Sequence, residues 1–166
     1  MTDKDKPSIA FLGTGLMGLP MCRCLLKGGF ELIVWNRSIE KTEGLRNEGA
    51  NRAVSPAEAV KEVDVIITML SDGTAVEEVL FEGGMAEGDR EGVTHIDMSS
   101  IGADEAIDHA KRHVKGGVHY LDAPVSGGVM GAKNGTLTFL VGGTKDAFNL
   151  AKPLLEIMGK NIFHAG

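Results

Sequence analysis

The feature that most constrains the fold is a glycine-rich turn placed directly after a short apolar segment. Residues 9–12 are apolar, and residues 13–18 then read GTGLMG, a GxGxxG pattern. Glycines at this spacing allow a tight turn, a close approach of the backbone to a ligand, and close packing of the next helix. The free N–H groups that open such a helix favour bound phosphate. The pattern predicts a Rossmann-type dinucleotide-binding unit.

Apolar segments alternate with segments of helical spacing along most of the chain. Strands are predicted at residues 8–12, 31–35, 63–70, 93–98, 118–121, 136–141 and 161–164. Helices are predicted at residues 16–27, 38–47, 74–81, 103–114 and 146–158, with a further short helix opening at Ser55. The alternation predicts an α/β fold of the doubly wound Rossmann type, with a mostly parallel sheet and helices on both faces.

The second half of the chain interrupts this alternation. Residues 122–135 are predicted to form a helix-free loop, because the segment is rich in glycine. The strand that follows is therefore expected to run antiparallel and to give the sheet a mixed C-terminal edge. No linker or repeat divides the sequence, so residues 8–166 are predicted to form a single domain, preceded by a disordered polar tail at residues 1–7.

Charge and cysteine usage exclude several functional classes. The 166 residues carry a formal net charge of −6, which argues against sequence-independent binding of nucleic acid. The first residues are too polar for a signal peptide, and the longest apolar stretch is too short to span a bilayer. We therefore expect a cytoplasmic protein without membrane contact.

Metal binding is not expected either. Cys22 and Cys24 lie two apart on a predicted helix and face different sides, which disfavours a disulfide or a metal pair. His109 and His113 are predicted to lie on a solvated helix face rather than in a metal site.

The end of the second predicted strand bears on which cofactor is bound. NAD-binding units usually place a carboxylate there to bind the ribose 2′-hydroxyl. This chain has Asn36, Arg37 and Ser38 instead. A guanidinium suits a 2′-phosphate, and the two polar neighbours add neutral hydrogen bonds. The sequence favours NADP, with NAD as the alternative if Arg37 is only a solvated surface residue.

A second glycine-rich loop, at residues 121–132, contains Ser126, Gly127 and Gly128. Successive backbone N–H groups in such a loop form a concavity that binds anions. A substrate carboxylate would fit there, with the serine hydroxyl as an extra donor. The alternative is a flexible connection without a ligand.

The segments at residues 11–21 and 122–138 together resemble the β-hydroxyacid dehydrogenase family. This family includes 3-hydroxyisobutyrate dehydrogenase, tartronate semialdehyde reductase, glyoxylate/succinic semialdehyde reductases and, more distantly, 6-phosphogluconate dehydrogenase. The resemblance covers nearly the whole chain. It implies hydride transfer between NADP(H) and a small β-hydroxyacid or semialdehyde, and a full-length protein that is a homodimer or homotetramer.

The resemblance also implies roles for individual residues. The substrate carboxylate would contact Ser126, Gly127 and Gly128. Residues 69–71 resemble the segment that lines the cofactor, and Ser99 with Ser100 resembles a polar pair near the nicotinamide. The residues predicted to contact the dinucleotide are Gly13, Thr14, Gly15, Leu16, Met17, Gly18, Asn36, Arg37, Ser38, Met69, Leu70, Ser71 and Ser100.

One part of the family pattern has no match in this sequence. The family's acid–base residue is a lysine on a helix after the Rossmann domain, followed by a helical domain. Neither Lys133 nor Lys160 lies in that lysine motif, so we expect the lysine and the helical domain beyond Gly166. The chain alone is then expected to bind cofactor without catalysis. The alternative is a non-catalytic dinucleotide-binding scaffold or sensor.

Overall fold

The computed structural model describes residues 2, 4–82 and 90–166. Its main sheet has six parallel strands in the order β3-β2-β1-β4-β5-β6. The strands are β1 (Ile9–Leu12), β2 (Leu32–Trp35), β3 (Asn51–Arg52), β4 (Val65–Thr68), β5 (Thr94–Asp97) and β6 (His119–Asp122). The chain begins in the middle of the sheet and fills one side before the other. The doubly wound, parallel arrangement predicted from the sequence is confirmed.

Seven α-helices accompany the strands in the described residues. They are α1 (Gly18–Lys27), α2 (Glu43–Asn47), α3 (Pro56–Ala59), α4 (Gly73–Glu77), α5 (Ala103–Lys115), α6 (Gly128–Asn134) and α7 (Lys145–Met158). A 3₁₀ turn at Ile39–Thr42 precedes α2, so the helix predicted over residues 38–47 is divided. A π-helical turn at Glu78–Glu82 extends α4. None of the helices in the described part of the chain combines the length and apolar character needed to cross a membrane.

Local sequence signals set where several helices begin. The Ser55 hydroxyl accepts a hydrogen bond from the Glu58 N–H, and Pro56 occupies the first turn of α3. The Asp72 carboxylate accepts from the Ala75 N–H at 2.9 Å and starts α4. These side chains satisfy N–H groups that have no partner inside the helix.

The core lies on both faces of the six-stranded sheet. Every residue of β1 is buried: Ile9 and Phe11 belong to one apolar cluster, and Ala10 and Leu12 belong to the other. Helices α1 and α7 cover the first face, and α3 and α4 cover the second. A strand buried on both faces explains the uninterrupted apolar run that precedes the glycine turn.

The mixed part of the fold is a separate three-stranded sheet. Strands β7 (Val125–Ser126), β8 (Leu137–Val141) and β9 (Gly159–His164) lie in that order, with β7 antiparallel and β9 parallel to β8. The mixed pairing predicted for the C-terminal edge is therefore present, but in a separate sheet and not in the main one. Backbone bonds between Asp122 and Gly142 of 2.8 and 3.0 Å join this sheet to the end of β6.

Helix α6 is a difference from the sequence-based prediction, which made residues 122–135 a helix-free loop. Its sequence is GVMGAKN, and glycine has low helix propensity. Packing stabilises the helix instead: Gly131 and Ala132 are buried, and the Cys24 thiol of α1 donates to the Ala132 carbonyl. Gly135 ends the helix in the left-handed conformation. Tertiary contacts therefore override local propensity here.

Helix α5 also differs from its prediction. His109 and His113 were expected on a solvated face, but they are only 2% and 5% exposed. Together with Ala106 they form the buried stripe of the helix. The remaining positions are largely charged, so the histidines occupy the positions that apolar residues usually fill in an amphipathic helix.

Candidate functional site

The turn after β1 has the geometry that its glycines predict. Gly13 has a φ of +105°, and a Cβ there would lie 2.2 Å from the Met69 carbonyl oxygen. A Cβ on Gly18 would lie 1.8 Å from the Gly13 carbonyl oxygen. Gly15 differs, because a Cβ on it would meet nothing within 4 Å. Two glycines are thus required by the protein's own packing, whereas the middle one faces space open to a ligand.

The end of β2 is tied to this turn by the Asn36 side chain. The Thr14 N–H donates to Asn36 Oδ1 at 2.9 Å, and Asn36 Nδ2 donates to the Ser38 carbonyl at 3.0 Å. The Thr14 hydroxyl donates to the Lys41 carbonyl at 3.0 Å, and Thr14 is buried. Asn36 and Thr14 therefore hold the turn against the 3₁₀ segment that follows β2.

A cleft of about 280 Å³ opens at the carboxyl ends of β1, β2 and β4. This is the edge at which doubly wound sheets bind ligands. The predicted cofactor residues that line it are Gly13, Gly15, Asn36, Arg37, Ser38, Met69, Leu70 and Ser71. Trp35, Lys41, Ala75 and Val79 complete the lining. Residues from four separate parts of the sequence are therefore brought together around one cleft.

The other predicted cofactor residues lie around this lining. Thr14 and Gly18 are buried behind the turn, Met17 is half-buried, and Leu16 is 82% exposed. Ser100 is exposed after β5. Their contact with a dinucleotide stays a prediction.

Two charged residues near the cleft were missed from the sequence. Lys41 lines the cleft, and Glu78 reaches Arg37, with 2.7 Å between Glu78 Oε2 and Arg37 Nη2. Both members of the pair are exposed, at 75% for Arg37 and 46% for Glu78. Helical spacing alone could not place Glu78 beside Arg37, because 41 residues separate them.

A second groove, of about 500 Å³, lies between α4 and α5 and has the opposite electrostatic character. Its lining includes Glu77, Glu78, Asp104, Glu105 and Asp108. Such a set of carboxylates repels phosphate, so its charge disfavours this groove as a phosphate site. Among the residues that the structure describes, no group of three or more metal-binding side chains is arranged around one point.

The wall of the cleft formed by residues 69–71 is held from the neighbouring strand. The Leu70 N–H donates to Ser99 Oγ at 2.9 Å, and the Ser99 N–H donates to Asp97 Oδ1 at 3.0 Å. Ser99 and Asp97 are fully buried. Ser99 thus supports the cleft from behind.

The second glycine-rich segment lies outside the residues that line the cleft. Ser126 is exposed at the end of β7, and Gly127 and Gly128 have φ values of +130° and +64°. A Cβ on Gly128 would meet nothing within 4 Å, whereas one on Gly127 would lie 3.2 Å from the Leu137 side chain. The left-handed backbone explains the two glycines, and their contact with a carboxylate stays a prediction.

Comparison with known proteins decides the family. Residues 8–166 match the family model described as the NAD binding domain of 6-phosphogluconate dehydrogenase. The chain belongs to the β-hydroxyacid dehydrogenase family. It is 43% identical over its whole length to a protein named probable 3-hydroxyisobutyrate dehydrogenase, mitochondrial, from Dictyostelium discoideum, of which it covers 52%. It is 44% identical over 95% of its length to an NAD-dependent L-serine dehydrogenase from Pseudomonas aeruginosa, of which it covers 53%.

Solved structures agree with the sequence relatives. The 3-hydroxyisobutyrate dehydrogenase of Mycobacterium tuberculosis with L-serine has a TM-score of 0.91 and 37% identity, over 97% of this chain and 55% of that one. A protein named Psf3, in complex with NADP⁺ and 2-OPP, has a TM-score of 0.89 and 30% identity over 93% and 55%. The chain spans about half the length of the curated relatives it matches.

These comparisons fix the class and leave finer predictions open. The chain is the NAD-binding domain of an oxidoreductase family. Its relatives include a protein named NAD-dependent and a structure with NADP⁺, so the preference for NADP stays a prediction. The cytoplasmic location also stays a prediction, because one of the relatives is named mitochondrial.

Proposed function

We propose that this chain is the cofactor-binding half of an NADP-dependent oxidoreductase that acts on a small β-hydroxyacid or semialdehyde. The observation that carries the proposal is the cleft at the glycine turn, with Arg37 and Lys41 among its lining residues and no carboxylate at the end of β2. Two cations suit the extra phosphate of NADP, whereas NAD-binding units usually have a carboxylate there.

The cleft fits the phosphate-bearing part of a dinucleotide. Gly15 leaves open space at the turn, and the start of α1 has no side-chain cap from Met17, so the helix N-terminus favours phosphate. Asn36 is already hydrogen-bonded to Thr14 and Ser38, so its part is to hold the turn in place. When bound, the nicotinamide supplies or accepts the hydride, and this chain's residues orient it.

We further propose that Ser126, Gly127 and Gly128 hold the substrate carboxylate. Left-handed glycines orient successive N–H groups towards one side, which is the geometry of an anion-binding concavity. The relatives named for 3-hydroxyisobutyrate and L-serine act on small carboxylic acids, which supports a carboxylate subsite.

Proton transfer to the substrate oxygen is assigned to a group outside these 166 residues. The family resemblance places this role on a lysine, and no lysine here lies in the matching motif. We therefore expect residues 1–166 to bind cofactor without measurable turnover. In the full-length protein we expect a homodimer or homotetramer, as in the family.

The test is a calorimetric titration of the 166-residue chain with NADPH and with NADH. We expect tighter binding of NADPH, and we expect Arg37→Ala to weaken NADPH and leave NADH unchanged. Arg46→Ala is the matched control, because Arg46 is an exposed arginine that pairs with Glu43 away from the cleft. Equal loss of both cofactors, or no loss, would contradict the assignment of Arg37.

A second measurement tests whether residues 1–166 catalyse the reaction on their own. The chain is mixed with NADPH and succinic semialdehyde, and NADPH oxidation is followed by absorbance. We expect none, because we propose that the proton donor lies outside these 166 residues. Turnover near ordinary enzymatic rates, about 1–10³ s⁻¹, would show that the acid–base residue lies within this chain.

A further inference from the structure

A chain of buried polar side chains runs from α5 to the back of the dinucleotide cleft. Its members are His113 of α5, His95 and Asp97 of β5, and Thr68 at the end of β4. All four are at most 5% exposed. Thr68 and Asp97 are paired directly across the parallel strands. The dinucleotide site as described above does not use the two histidines.

Four consecutive hydrogen bonds link this chain. His113 Nδ1 lies 2.7 Å from the His109 carbonyl oxygen, and His113 Nε2 lies 3.0 Å from His95 Nδ1. His95 Nε2 lies 2.8 Å from Thr68 Oγ1, which lies 2.9 Å from Asp97 Oδ1. The chain is continuous from a carbonyl, which can only accept, to a carboxyl group.

Counting hydrogens shows that neutral histidines and an ionised aspartate cannot make all four bonds. Each bond needs one hydrogen, and neutral His113, neutral His95 and Thr68 have one each for the chain. A carbonyl at one end and a carboxylate at the other supply none. The fourth hydrogen requires one additional proton, carried either by Asp97 or by the histidine pair.

The buried surroundings favour the carboxyl group as the site of that proton. Burial raises the pKa of Asp97, although hydrogen bonds from Ser99 and Thr68 oppose this effect. Burial lowers the pKa of His95 and of His113, which disfavours an imidazolium. A protonated carboxyl donates to the Thr68 hydroxyl, which then donates to His95, and the remaining bonds are satisfied in turn.

Charged and titratable groups on the neighbouring elements surround this row of hydrogen-bonded side chains. Glu77 of α4 accepts from His109 and from Arg112, which places that ion pair on the outer side of α5. On β6, the Tyr120 hydroxyl donates to Asp97 Oδ2 at 3.3 Å. The pKa of Asp122 is raised to about 6, chiefly by burial. None of these groups supplies a hydrogen to any of the four bonds.

Asp97 connects the hydrogen-bonded side chains to the cofactor cleft. The Ser99 N–H donates to the same Oδ1 atom that meets Thr68, and Ser99 Oγ accepts from the Leu70 N–H. Leu70 lines the cleft together with Met69 and Ser71. A shift of the Asp97 carboxyl is therefore transmitted through one residue to the cleft wall.

We propose that Asp97 is a positioning residue of the dinucleotide cleft, and that a single buried proton shared with Thr68, His95 and His113 holds it in place. The role in the cleft rests on the proposed function, whereas the shared proton does not. Loss of the proton would leave three hydrogens for the four bonds, so that two acceptors face each other at one of them. One buried acceptor then loses its partner, which is unfavourable.

The first test locates the proton in the 166-residue chain without cofactor. Ring ¹⁵N and carboxyl ¹³C NMR report the protonation of His95, His113 and Asp97 separately. At neutral pH we expect a protonated Asp97 carboxyl, or one imidazolium within the pair. An ionised Asp97 together with two neutral histidines in the folded protein would overturn the proposal.

Substitution of Thr68 separates the shared proton from simple packing. Thr68→Val keeps the side-chain shape but removes the hydroxyl that links Asp97 to His95, whereas Thr68→Ser keeps the hydroxyl. We expect the NMR signature of the extra proton to be lost in Thr68→Val and retained in Thr68→Ser. Retention in both variants would show that burial alone holds the proton and would overturn its sharing with Thr68, whereas loss in both would contradict the role of the hydroxyl. The measurement on the unsubstituted chain stands even if a variant fails to fold.

The second test measures NADH affinity from about pH 6 to about pH 9, a range in which histidines and buried carboxyls titrate. NADH is used because it has no 2′-phosphate, so no titration of that group contributes to the pH dependence of its affinity. We expect affinity to fall about 2- to 10-fold as the proton is lost, the equivalent of one net hydrogen bond. Thr68→Ser should keep this pH profile, and Thr68→Val should flatten it. A profile unchanged by Thr68→Val would refute the positioning role.

The two tests separate the proposals. A protonated network in a chain that binds no NADH at any pH would overturn the dinucleotide site and leave the shared proton intact. Normal NADH binding in a chain with an ionised Asp97 and neutral histidines would overturn the shared proton alone.

Discussion

Substitution of Glu78 is expected to change the preference between NADPH and NADH. Its carboxylate lies 2.7 Å from the guanidinium of Arg37, the residue proposed to bind the 2′-phosphate of NADP. NADP must therefore compete with Glu78 for Arg37, whereas NAD has no phosphate at that position. We expect Glu78→Gln to strengthen NADPH binding and leave NADH binding unchanged.

The magnitude follows from the exposure of the pair. Arg37 and Glu78 are 75% and 46% exposed, and exposed ion pairs contribute about 0.2–1 kcal/mol. Removing this competition should tighten NADPH binding about 1.4- to 5-fold. Charge-assisted hydrogen bonds from Arg37 to a phosphate contribute about 1.5–3 kcal/mol, so Arg37→Ala should weaken NADPH about 10- to 150-fold.

The assay is a double-mutant cycle with calorimetric dissociation constants for NADPH and NADH. It uses the unsubstituted chain, Arg37→Ala, Glu78→Gln and the double variant. Glu48→Gln is the matched control, because Glu48 pairs with Arg23 and neither residue lines the cleft. We expect the gain from Glu78→Gln to shrink when Arg37 is absent. Additive effects, or an equal gain for NADH, would refute the competition between Glu78 and the 2′-phosphate.

Three further predictions concern the turn, a buried carboxyl and a buried thiol. Gly13→Ala should destabilise the fold by about 2–5 kcal/mol in urea unfolding, because its Cβ would collide with the Met69 carbonyl at a φ of +105°. The free energy of unfolding of Gly15→Ala should lie within about 0.5 kcal/mol of that of the unsubstituted chain, because the added Cβ enters open space, but the variant should lose cofactor affinity. Equal destabilisation by the two substitutions would contradict the different roles of Gly13 and Gly15. The pKa of Asp122 is raised to about 6, chiefly by burial, so its contribution to stability is fully present below about pH 4 and is lost as pH rises through 6. Asp122→Asn should reduce the difference in the free energy of unfolding between about pH 4 and about pH 8, measured by urea titration, and an unchanged difference would contradict this assignment. Burial raises the pKa of the Cys22 thiol, so it should react with thiol reagents only after unfolding, as mass spectrometry of the labelled chain would show.

The sequence predicted the glycine turn and the main sheet except its edge strand β3, because these features depend on local signals. Short apolar runs mark β1 and β4, and the GxGxxG spacing marks the turn between β1 and α1. Helix α6 was missed because its stability comes from packing against α1 rather than from its glycine-rich sequence.

The candidate site was predictable in part. Arg37 and Asn36 follow the second strand, so their position at the cleft could be predicted from chain order alone. Glu78 could not, because it meets Arg37 only through tertiary packing. His113 was expected in solvent, since a histidine on a charged helix has no local sign of burial; its partner, His95, lies 18 residues earlier on a strand.

The bond between Thr14 and Asn36 has a consequence for how this chain can change during evolution. The turn needs only an acceptor at position 36, and the Asn36 Oδ1 atom provides it. Aspartate offers the same acceptor, and its second oxygen is the group that binds a ribose 2′-hydroxyl in NAD-binding units. The change from asparagine to aspartate would lose the hydrogen bond from Asn36 Nδ2 to the Ser38 carbonyl. Asparagine and aspartate codons differ by one base, so a single point mutation at a residue that already anchors the turn could redirect the cofactor choice of the lineage.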